Sequence, residues 1–159
     1  MTDVYQYLDT NKVTYKEHKH PPVFTCEESE RLCRDIPGLA CKNLVLVGKA
    51  TGAYYLLVMP AAKRADLKKF AEVVSEKRVS FASAEVVREK LGLEPGSVSP
   101  FGLINDTNQE MNMFIDREVY DAPIVGFHPN INDATLELTQ EMFHTYLQSL
   151  DHVTNVVDL

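Results

Sequence analysis

The sequence predicts an α+β domain in which helices flank one mixed sheet. Two nearly continuous apolar runs, at residues 42–47 and 54–59, are joined by the glycine-containing loop GKATG, a pattern typical of a hairpin. Because both runs are apolar on both faces, at least one should be a central strand. Helical and strand patterns then alternate without the regular period of a parallel βαβ protein. At 159 residues the chain is expected to form one domain.

The segments before the hairpin predict two helices and one strand. A helix is expected over residues 3–11, with Asp3 or Thr2 as its N-cap, and a strand over 13–18. Thr25 is placed to cap a second helix with an acidic first turn, which ends at the Pro37-Gly38 pair.

The segments after the hairpin predict three more helices and four more strands. Ser83 and Thr139 are expected N-caps, and Gly92 is an expected helix stop. The expected helices cover 64–75, 84–91 and the segment after Thr139, and the expected strands cover 101–104, 111–116, 123–127 and 135–138.

Composition excludes several classes of protein. The formal net charge is −7, which argues against a general nucleic-acid binder, so we expect no DNA partner. No apolar run approaches the roughly 18 residues that a membrane span requires, and the acidic start MTDVYQYLD is unlike a signal peptide. We therefore expect a cytoplasmic protein without a membrane partner.

The cysteines predict reduced thiols. Cys26, Cys33 and Cys41 are odd in number and form no CxxC motif. Cys26 and Cys33 are seven residues apart and could share a helix face, but the sequence supplies too few further ligands for a metal site. We expect no metal and no organic cofactor.

Lys42 and Asn43 stand at the start of the first apolar strand. A lysine beside buried residues is either solvated at the strand edge or kept for an anionic ligand, and the sequence leaves both interpretations open. In a regular strand Lys42 and Asn43 face opposite sides, so both serve one site only if the strand begins irregularly.

Two loops carry further candidates. The segment PGSVSP could present the N–H groups of Gly96, Ser97, Val98 and Ser99 to a carbonyl or phosphate oxygen, with Pro100 stiffening the loop; a plain surface turn is the alternative. In GFHPNIND, His128 could carry a proton or donate to a substrate oxygen, or instead bind a backbone carbonyl. Gly126 and Asn130 flank it, and Asn130 and Asn132 could simply hold the loop through Asx turns.

The basic residues cluster in the region 63–90, which holds eight Lys or Arg against five acids. This cluster is either two solvated helix faces or a footprint for an RNA backbone. The candidates for phosphate contact are Lys63, Arg64, Lys68 and Lys69.

No familiar catalytic motif accompanies these residues. The sequence contains no GxSxG, no GxxxxGK[ST], no HExxH and no GxGxxG after a strand. If the protein is an enzyme, it should act on an already reactive bond through positioning and backbone electrostatics.

Four segments together resemble the YbaK/prolyl-tRNA-synthetase-associated editing family along nearly the whole chain. HPPVFTCEES looks like HxPVxTxEEA, IPGLACKNLVLV like PGxxxKNLFL, PGSVSPFGLIND like the GxxxP loop, and GFHPNINDATLEL like GxHPxxN. The segments KNL and SPFGLIND are most similar to the corresponding segments of the freestanding prolyl-tRNA deacylases of the ProXp-ala or PrdX type. The resemblance implies that family's fold, a curved and largely antiparallel sheet.

The resemblance also implies a function. The protein would hydrolyse the ester of mischarged tRNA(Pro), with alanyl-tRNA(Pro) as the expected substrate and prolyl-tRNA synthetase as a candidate partner. Lys42 and His128 would be the catalytic residues, with Asn43, the 96–100 loop, Gly126 and Asn130 holding the substrate. Ile36 and Leu39 would form the pocket wall, and the substrate's own ribose hydroxyl would help to activate the water. Relatives often have histidine where this chain has Ala40, which weakens any proton-transfer role from that side.

Two rival functions stay open on the sequence. One is a cysteinyl-tRNA deacylase of YbaK type, in which the substrate thiol takes part. The other is a non-catalytic module that binds tRNA or a synthetase, against which the intact Lys42 and PGSVSP segments argue. The sequence does not distinguish alanine, cysteine and serine as the edited residue, because one methylene in an apolar pocket is worth only about 1–3 kcal/mol.

Overall fold

The computed structural model describes residues 3–159, except for the side chain of Cys26. In this part of the chain there are six α-helices: α1 Val4–Thr10, α2 Cys26–Leu32, α3 Leu67–Val73, α4 Ala84–Leu91, α5 Arg117–Tyr120 and α6 Gln140–Ser149. The strands are β1 Lys16–Lys19, β2 Leu39–Gly48, β3 Tyr54–Pro60, β4 Val79–Phe81, β5 Met111–Asp116, β6 Ile124–Phe127, β7 Ala134–Thr139 and β8 Thr154–Val157. No helix in this part of the chain is long and apolar enough to cross a membrane.

One mixed sheet organises the fold, as the sequence predicts. Its strand order is β1-β7-β6-β2-β3-β5-β8, with β4 pairing to β2 beside this path. The predicted hairpin of β2 and β3 is antiparallel and central, while β6 joins β2 and β5 joins β3 in parallel. The α+β class is therefore confirmed.

The two faces of the sheet carry separate apolar clusters. Leu46 and Leu57 point to the face that α3 covers through Phe70, whereas Val45 and Leu56 point to the opposite face, where α1, α4 and α6 pack. The alternation along β2 and β3 follows the two-residue period of a strand. Both faces are buried, which is why these two strands read as continuous apolar runs.

The predicted helix caps are confirmed where the structure describes them. Asp3, Thr25, Ser83 and Thr139 each accept a backbone N–H from the first turn of their helix. Gly92 ends α4 in the left-handed conformation at φ +67°. Thr2, the alternative cap of α1, lies outside the described residues.

One predicted strand is wrong and four short elements were missed, one of which is the 3₁₀ helix Pro95–Ser97. Residues 101–104 belong to a 3₁₀ helix, Pro100–Asn105, which is buried all round and therefore shows no helical period. Strands β4 and β8 and helix α5 have only three or four residues each, too few for a periodic pattern to appear. Only pairing to β2 and β5 reveals the two strands.

Gly38 is the backbone position where the fold depends most on glycine. It leads into β2 at φ +102°, and an added Cβ would lie 2.6 Å from Ile124 Cγ2 and 2.7 Å from the Ile124 carbonyl oxygen. A side chain here would suffer both backbone strain and overlap with the start of β6.

We expect Gly38→Ala to lower the free energy of unfolding by about 2 kcal/mol more than Gly52→Ala. Gly52 is the matched control, since its φ is +75° but an added Cβ would meet nothing within 4 Å. Urea denaturation of the two variants separates overlap from strain. Equal losses in the two variants would show that the contact with Ile124 is relieved at no cost.

Candidate functional site

A small cleft, here called the β2 cleft, opens where β2 meets β6. Its volume is about 60 Å³. The parallel pairs Leu39–Val125 and Ala40–Gly126 bring the two strands together at this point. The lining residues are Ser29, Cys33, Ile36, Pro37, Gly38, Leu39, Ala40, Cys41, Asn43, Gly126, Phe127, His128 and Thr135.

Five residues that the resemblance assigns to catalysis or substrate binding meet in this cleft, although they come from distant parts of the chain. They are Ile36, Leu39, Asn43, Gly126 and His128. Gly126 keeps the wall thin, because an added Cβ would lie 3.1 Å from Thr135 Cγ2. A larger residue at position 126 would therefore press on Thr135 in the wall of the cleft.

Asn43 supplies an unsatisfied acceptor. Its Oδ1 atom is buried and has no hydrogen-bond partner among the described residues. A buried amide oxygen without a partner costs free energy, so a ligand N–H or O–H that reaches it gains a hydrogen bond that is already desolvated.

Lys42 faces away from Asn43. Strand β2 is regular from Leu39, and register pairs Lys42 with Met59 and Asn43 with Val58. Lys42 is therefore on the same side as Leu44 and Leu46, and it is absent from the described residues that line the β2 cleft. The irregular start that would let both side chains serve one site does not occur.

His128 is held by one ring nitrogen and offers the other. Its Nδ1 lies 3.0 Å from the carbonyl oxygen of Ala134, which can only accept, so Nδ1 carries the proton. Burial lowers the pKa of His128 below its ordinary value. The hydrogen bond to Ala134 acts in the opposite direction and raises the pKa, whereas the neighbouring His20 lowers it further. His128 is therefore neutral at pH 7, with Nε2 as a hydrogen-bond acceptor in the wall of the cleft.

His20 and Thr135 are site residues that the sequence analysis missed. His20 Nδ1 lies 2.9 Å from the Pro21 carbonyl, so its Nε2, 2.9 Å from Thr135 Oγ1, accepts from that hydroxyl. The His20 and His128 ring centroids are 6.1 Å apart. The HPPVFT motif gave a signal for His20, but only the β1–β7 pairing places it beside Thr135.

The thiol of Cys41 in the cleft is not activated. Cys33 and Cys41 are free thiols, and burial raises the pKa of Cys41 to about 12. A thiol with that pKa is a poor nucleophile at pH 7. The side chain of Cys26 lies outside the described residues, and the described side chains contain no cluster of three or more His, Cys, Asp or Glu that could hold a metal ion.

The loop of Gly96–Pro100 stands beside the β2 cleft rather than in it. Ser97 lines a second, open cleft of about 550 Å³ together with Asn130, and its N–H already donates to the Glu94 carbonyl. Val98 and Pro100 are buried, and Pro100 accepts a hydrogen bond from Tyr146.

Ser99 links this loop to the histidine loop. Its hydroxyl lies 3.2 Å from Asn130 Oδ1, and Asn130 Nδ2 donates to the Phe101 carbonyl at 3.4 Å. Asn130 adopts φ +64°, a conformation that asparagine tolerates better than most residues. These bonds fix the loops relative to each other, and Gly96 remains exposed at the tip.

The four basic residues that are candidates for phosphate contact differ in their contacts within the chain. Lys63 contacts Asp116 at 2.8 Å and Glu118 at 2.9 Å and donates to the Leu159 carbonyl at 2.8 Å. The bond to Asp116 is the main reason that the pKa of Lys63 is raised. Lys63 is thus already engaged within the chain, and its role in RNA contact stays a prediction.

Arg64, Lys68 and Lys69 are exposed, and none of them forms an ion pair with the rest of the described chain. Helix α3 covers the face of the sheet that includes Leu46, so Lys68 and Lys69 lie on the same side of the sheet as Lys42. The segment before Arg64 starts at the cleft, because the N–H of Ala61 donates to the carbonyl of Ala40 at 2.9 Å.

Comparison with known proteins places this site in a functional context. The model of the aminoacyl-tRNA editing domain matches residues 20–145. The chain is 31% identical over 152 residues to the prolyl-tRNA editing protein ProX of Acetoanaerobium sticklandii, covering 96% of this chain and 93% of that protein. It is 29% identical over 138 residues to the prolyl-tRNA synthetase associated domain-containing protein 1 of Bos taurus, covering 84% and 80%.

Solved structures share the fold. A protein described as a proposed trans-editing enzyme for prolyl-tRNA synthetase superimposes with a TM-score of 0.75 at 26% identity, covering 99% of this chain and 94% of that one. The hypothetical protein APE2540 superimposes with a TM-score of 0.76 at 21% identity, covering 97% and 98%, and shows the fold alone.

We expect His128 to titrate below its ordinary pKa near 6.5. In an NMR titration its ring signals should have a midpoint below that value, and His20→Asn should raise the midpoint, because the Coulombic interaction with His20 lowers the pKa of His128. A midpoint at or above 6.5 in the wild-type protein would contradict a neutral, desolvated imidazole in the cleft.

Proposed function

We propose, since the chain belongs to the aminoacyl-tRNA editing domain family, that it removes a wrongly attached small amino acid from tRNA(Pro). Family membership makes it a deacylase, a hydrolase of the ester between amino acid and tRNA. Alanine is the proposed amino acid. The family match and the single sheet support one editing domain, which we expect to act in the cytoplasm.

The size of the β2 cleft is the observation that carries the choice of a small amino acid. Its 60 Å³ is well below the roughly 150 Å³ of a cavity that holds benzene. A methyl group and a water molecule fit such a space, whereas the three methylenes of a proline ring crowd it. An editing enzyme must spare prolyl-tRNA(Pro), and exclusion by size achieves this, because overpacking typically costs about 1–3 kcal/mol.

The polar groups of the cleft suit ester hydrolysis by water. Water attacks the carbonyl carbon, the bond to the ribose oxygen breaks, and that oxygen leaves with a proton. We assign His128 Nε2 to accept a hydrogen bond from the water or from the free ribose hydroxyl. Asn43 Oδ1 is assigned to the α-ammonium group, since it is a buried acceptor with no partner in the described chain.

The geometry of β2 favours a role for Lys42 outside the cleft. Because Lys42 shares a side of the sheet with Lys68 and Lys69, we assign it to a phosphate near the 3′ end of the tRNA. Arg64, Lys68 and Lys69 continue this basic surface. Prolyl-tRNA synthetase is a proposed partner, suggested by the name of the bovine relative.

Hydrolysis of alanyl-, cysteinyl- and prolyl-tRNA(Pro) tests the function. We expect rapid loss of the alanyl ester and no loss of the prolyl ester, with kcat/KM reduced roughly 10- to 100-fold in Lys42→Ala because a charged contact to phosphate is lost. Faster cleavage of the cysteinyl ester would favour a YbaK-type enzyme. No hydrolysis of any ester would contradict the enzyme and favour a binding module.

Charge reversal tests the basic surface. Replacing Lys68 and Lys69 with Glu should weaken tRNA binding and make the slope of log K against log salt shallower by roughly 1.5, since each lost phosphate contact removes about 0.7–0.9. The double variant with Lys12→Glu and Lys49→Glu carries the same charge change on other exposed loops and is the control. Equal effects of the two variants would locate the RNA elsewhere.

A further inference from the structure

We infer that Phe24 is a stacking platform for an unpaired base at the 3′ end of the tRNA. The inference rests on the proposed function, because it names a contact for the same substrate. Phe24 is 71% exposed and directly precedes Thr25, the N-cap of α2. Neither residue belongs to the catalytic groups of the β2 cleft.

Helix packing does not explain the presence of an exposed phenylalanine at position 24. A residue just before an N-cap often packs on the fourth residue of the helix as a hydrophobic staple. Here the fourth residue is Ser29, a polar side chain that lines the β2 cleft instead. Thr25 and Glu28 form the polar part of the helix start, with the Glu28 N–H donating to Thr25 Oγ1 at 3.1 Å. The helix therefore begins normally without Phe24.

The backbone around Phe24 is fixed to the loops of the site. Val23, its buried neighbour, donates its N–H to the Asn132 carbonyl at 2.9 Å and accepts from Asn132 Nδ2 at 3.1 Å. An added Cβ on Gly96 would lie 3.9 Å from the Val23 carbonyl oxygen. Phe24 thus stands one residue from the point where the helix start, the 96–100 loop and the histidine loop meet.

The small volume of the β2 cleft and the acidic residues after Phe24 indicate which part of the substrate contacts Phe24. The β2 cleft holds little more than the aminoacyl group, so the nucleotides of the substrate must lie outside it, against its surroundings. Glu27 and Glu28 follow Phe24 in the first turn of α2 and repel a phosphate, whereas an uncharged base face stacks on an aromatic ring whatever its sequence. Ile131, 43% exposed and adjacent to Asn132, adds apolar surface nearby.

A protein partner fits this surface less well. Stable protein interfaces bury roughly 800 Å² on each side, and Phe24 and Ile131 are the two large exposed apolar side chains near this end of the cleft among the described residues. A single-stranded RNA end needs only one aromatic face for each base.

Substitutions of Phe24 test the inference on alanyl-tRNA(Pro). We expect Phe24→Ala to raise KM roughly 10-fold with little change in kcat, as for a contact made equally before and during reaction. Phe24→Tyr should restore wild-type KM, and Phe24→Leu should not. Phe81→Ala is the matched control, because Phe81 is 60% exposed but lies on β4, opposite Leu46, and it should leave KM unchanged.

A second measurement does not depend on hydrolysis. The probe is a short RNA without an attached amino acid that ends in the unpaired 3′ segment and contains 2-aminopurine at one of its last two positions. Its fluorescence should decrease on binding to the wild type and to Phe24→Tyr. The loss should disappear in Phe24→Ala. Quenching without hydrolysis of any ester would keep the stacking inference and reject the proposed function.

Three outcomes would overturn the inference. The first is unchanged KM and unchanged quenching in Phe24→Ala. The second is Phe24→Leu behaving like Phe24→Tyr, which would indicate apolar contact without stacking. The third is loss of binding to prolyl-tRNA synthetase in Phe24→Ala with RNA quenching intact, which would assign the residue to a protein interface.

Discussion

The short parallel pairing of β2 with β6 is the contact on which the rest of the site depends. Only two residue pairs, Leu39–Val125 and Ala40–Gly126, make it. They join the half of the sheet that contains β1, β7 and β6 to the half that contains β3, β5 and β8. Because the strands approach this closely, the segment before β2 and the loop after β6 enclose the cleft between them. Glycine at 38 and 126 allows the approach, since a Cβ at either position would press on Ile124 or Thr135.

Burial at this junction determines the chemistry that the cleft can support. It lowers the pKa of His128, so the ring is neutral and can accept a proton, and it raises the pKa of Cys41 to about 12, so the thiol is inert. It also leaves Asn43 Oδ1 without a partner in the described chain. These properties suit the proposed mechanism, in which the cleft positions a reactive ester and a water.

Local signals let the sequence predict much of the fold but only part of the site. The capping side chains, the β2–β3 hairpin and α4 follow from neighbouring residues, so they could be read directly. The short strands β4 and β8 and the pairing of His20 with Thr135 depend on register between distant segments. The sequence predicts that Lys42 and Asn43 face opposite sides of a regular strand, but it does not indicate on which side the cleft lies. Nor could it show that Asp116 and Glu118 engage Lys63.

Binding of stable substrate analogues tests the central claim, that the β2 cleft selects the amino acid by size. In 3′-alanylamino-3′-deoxyadenosine an amide replaces the labile ester, and the prolyl analogue differs only in the amino acid. Backbone NMR spectra should show the alanyl analogue shifting the signals of Gly126, His128 and Thr135, and the prolyl analogue leaving them in place. Equal shifts with both analogues, or shifts confined to residues outside the cleft, would contradict the account.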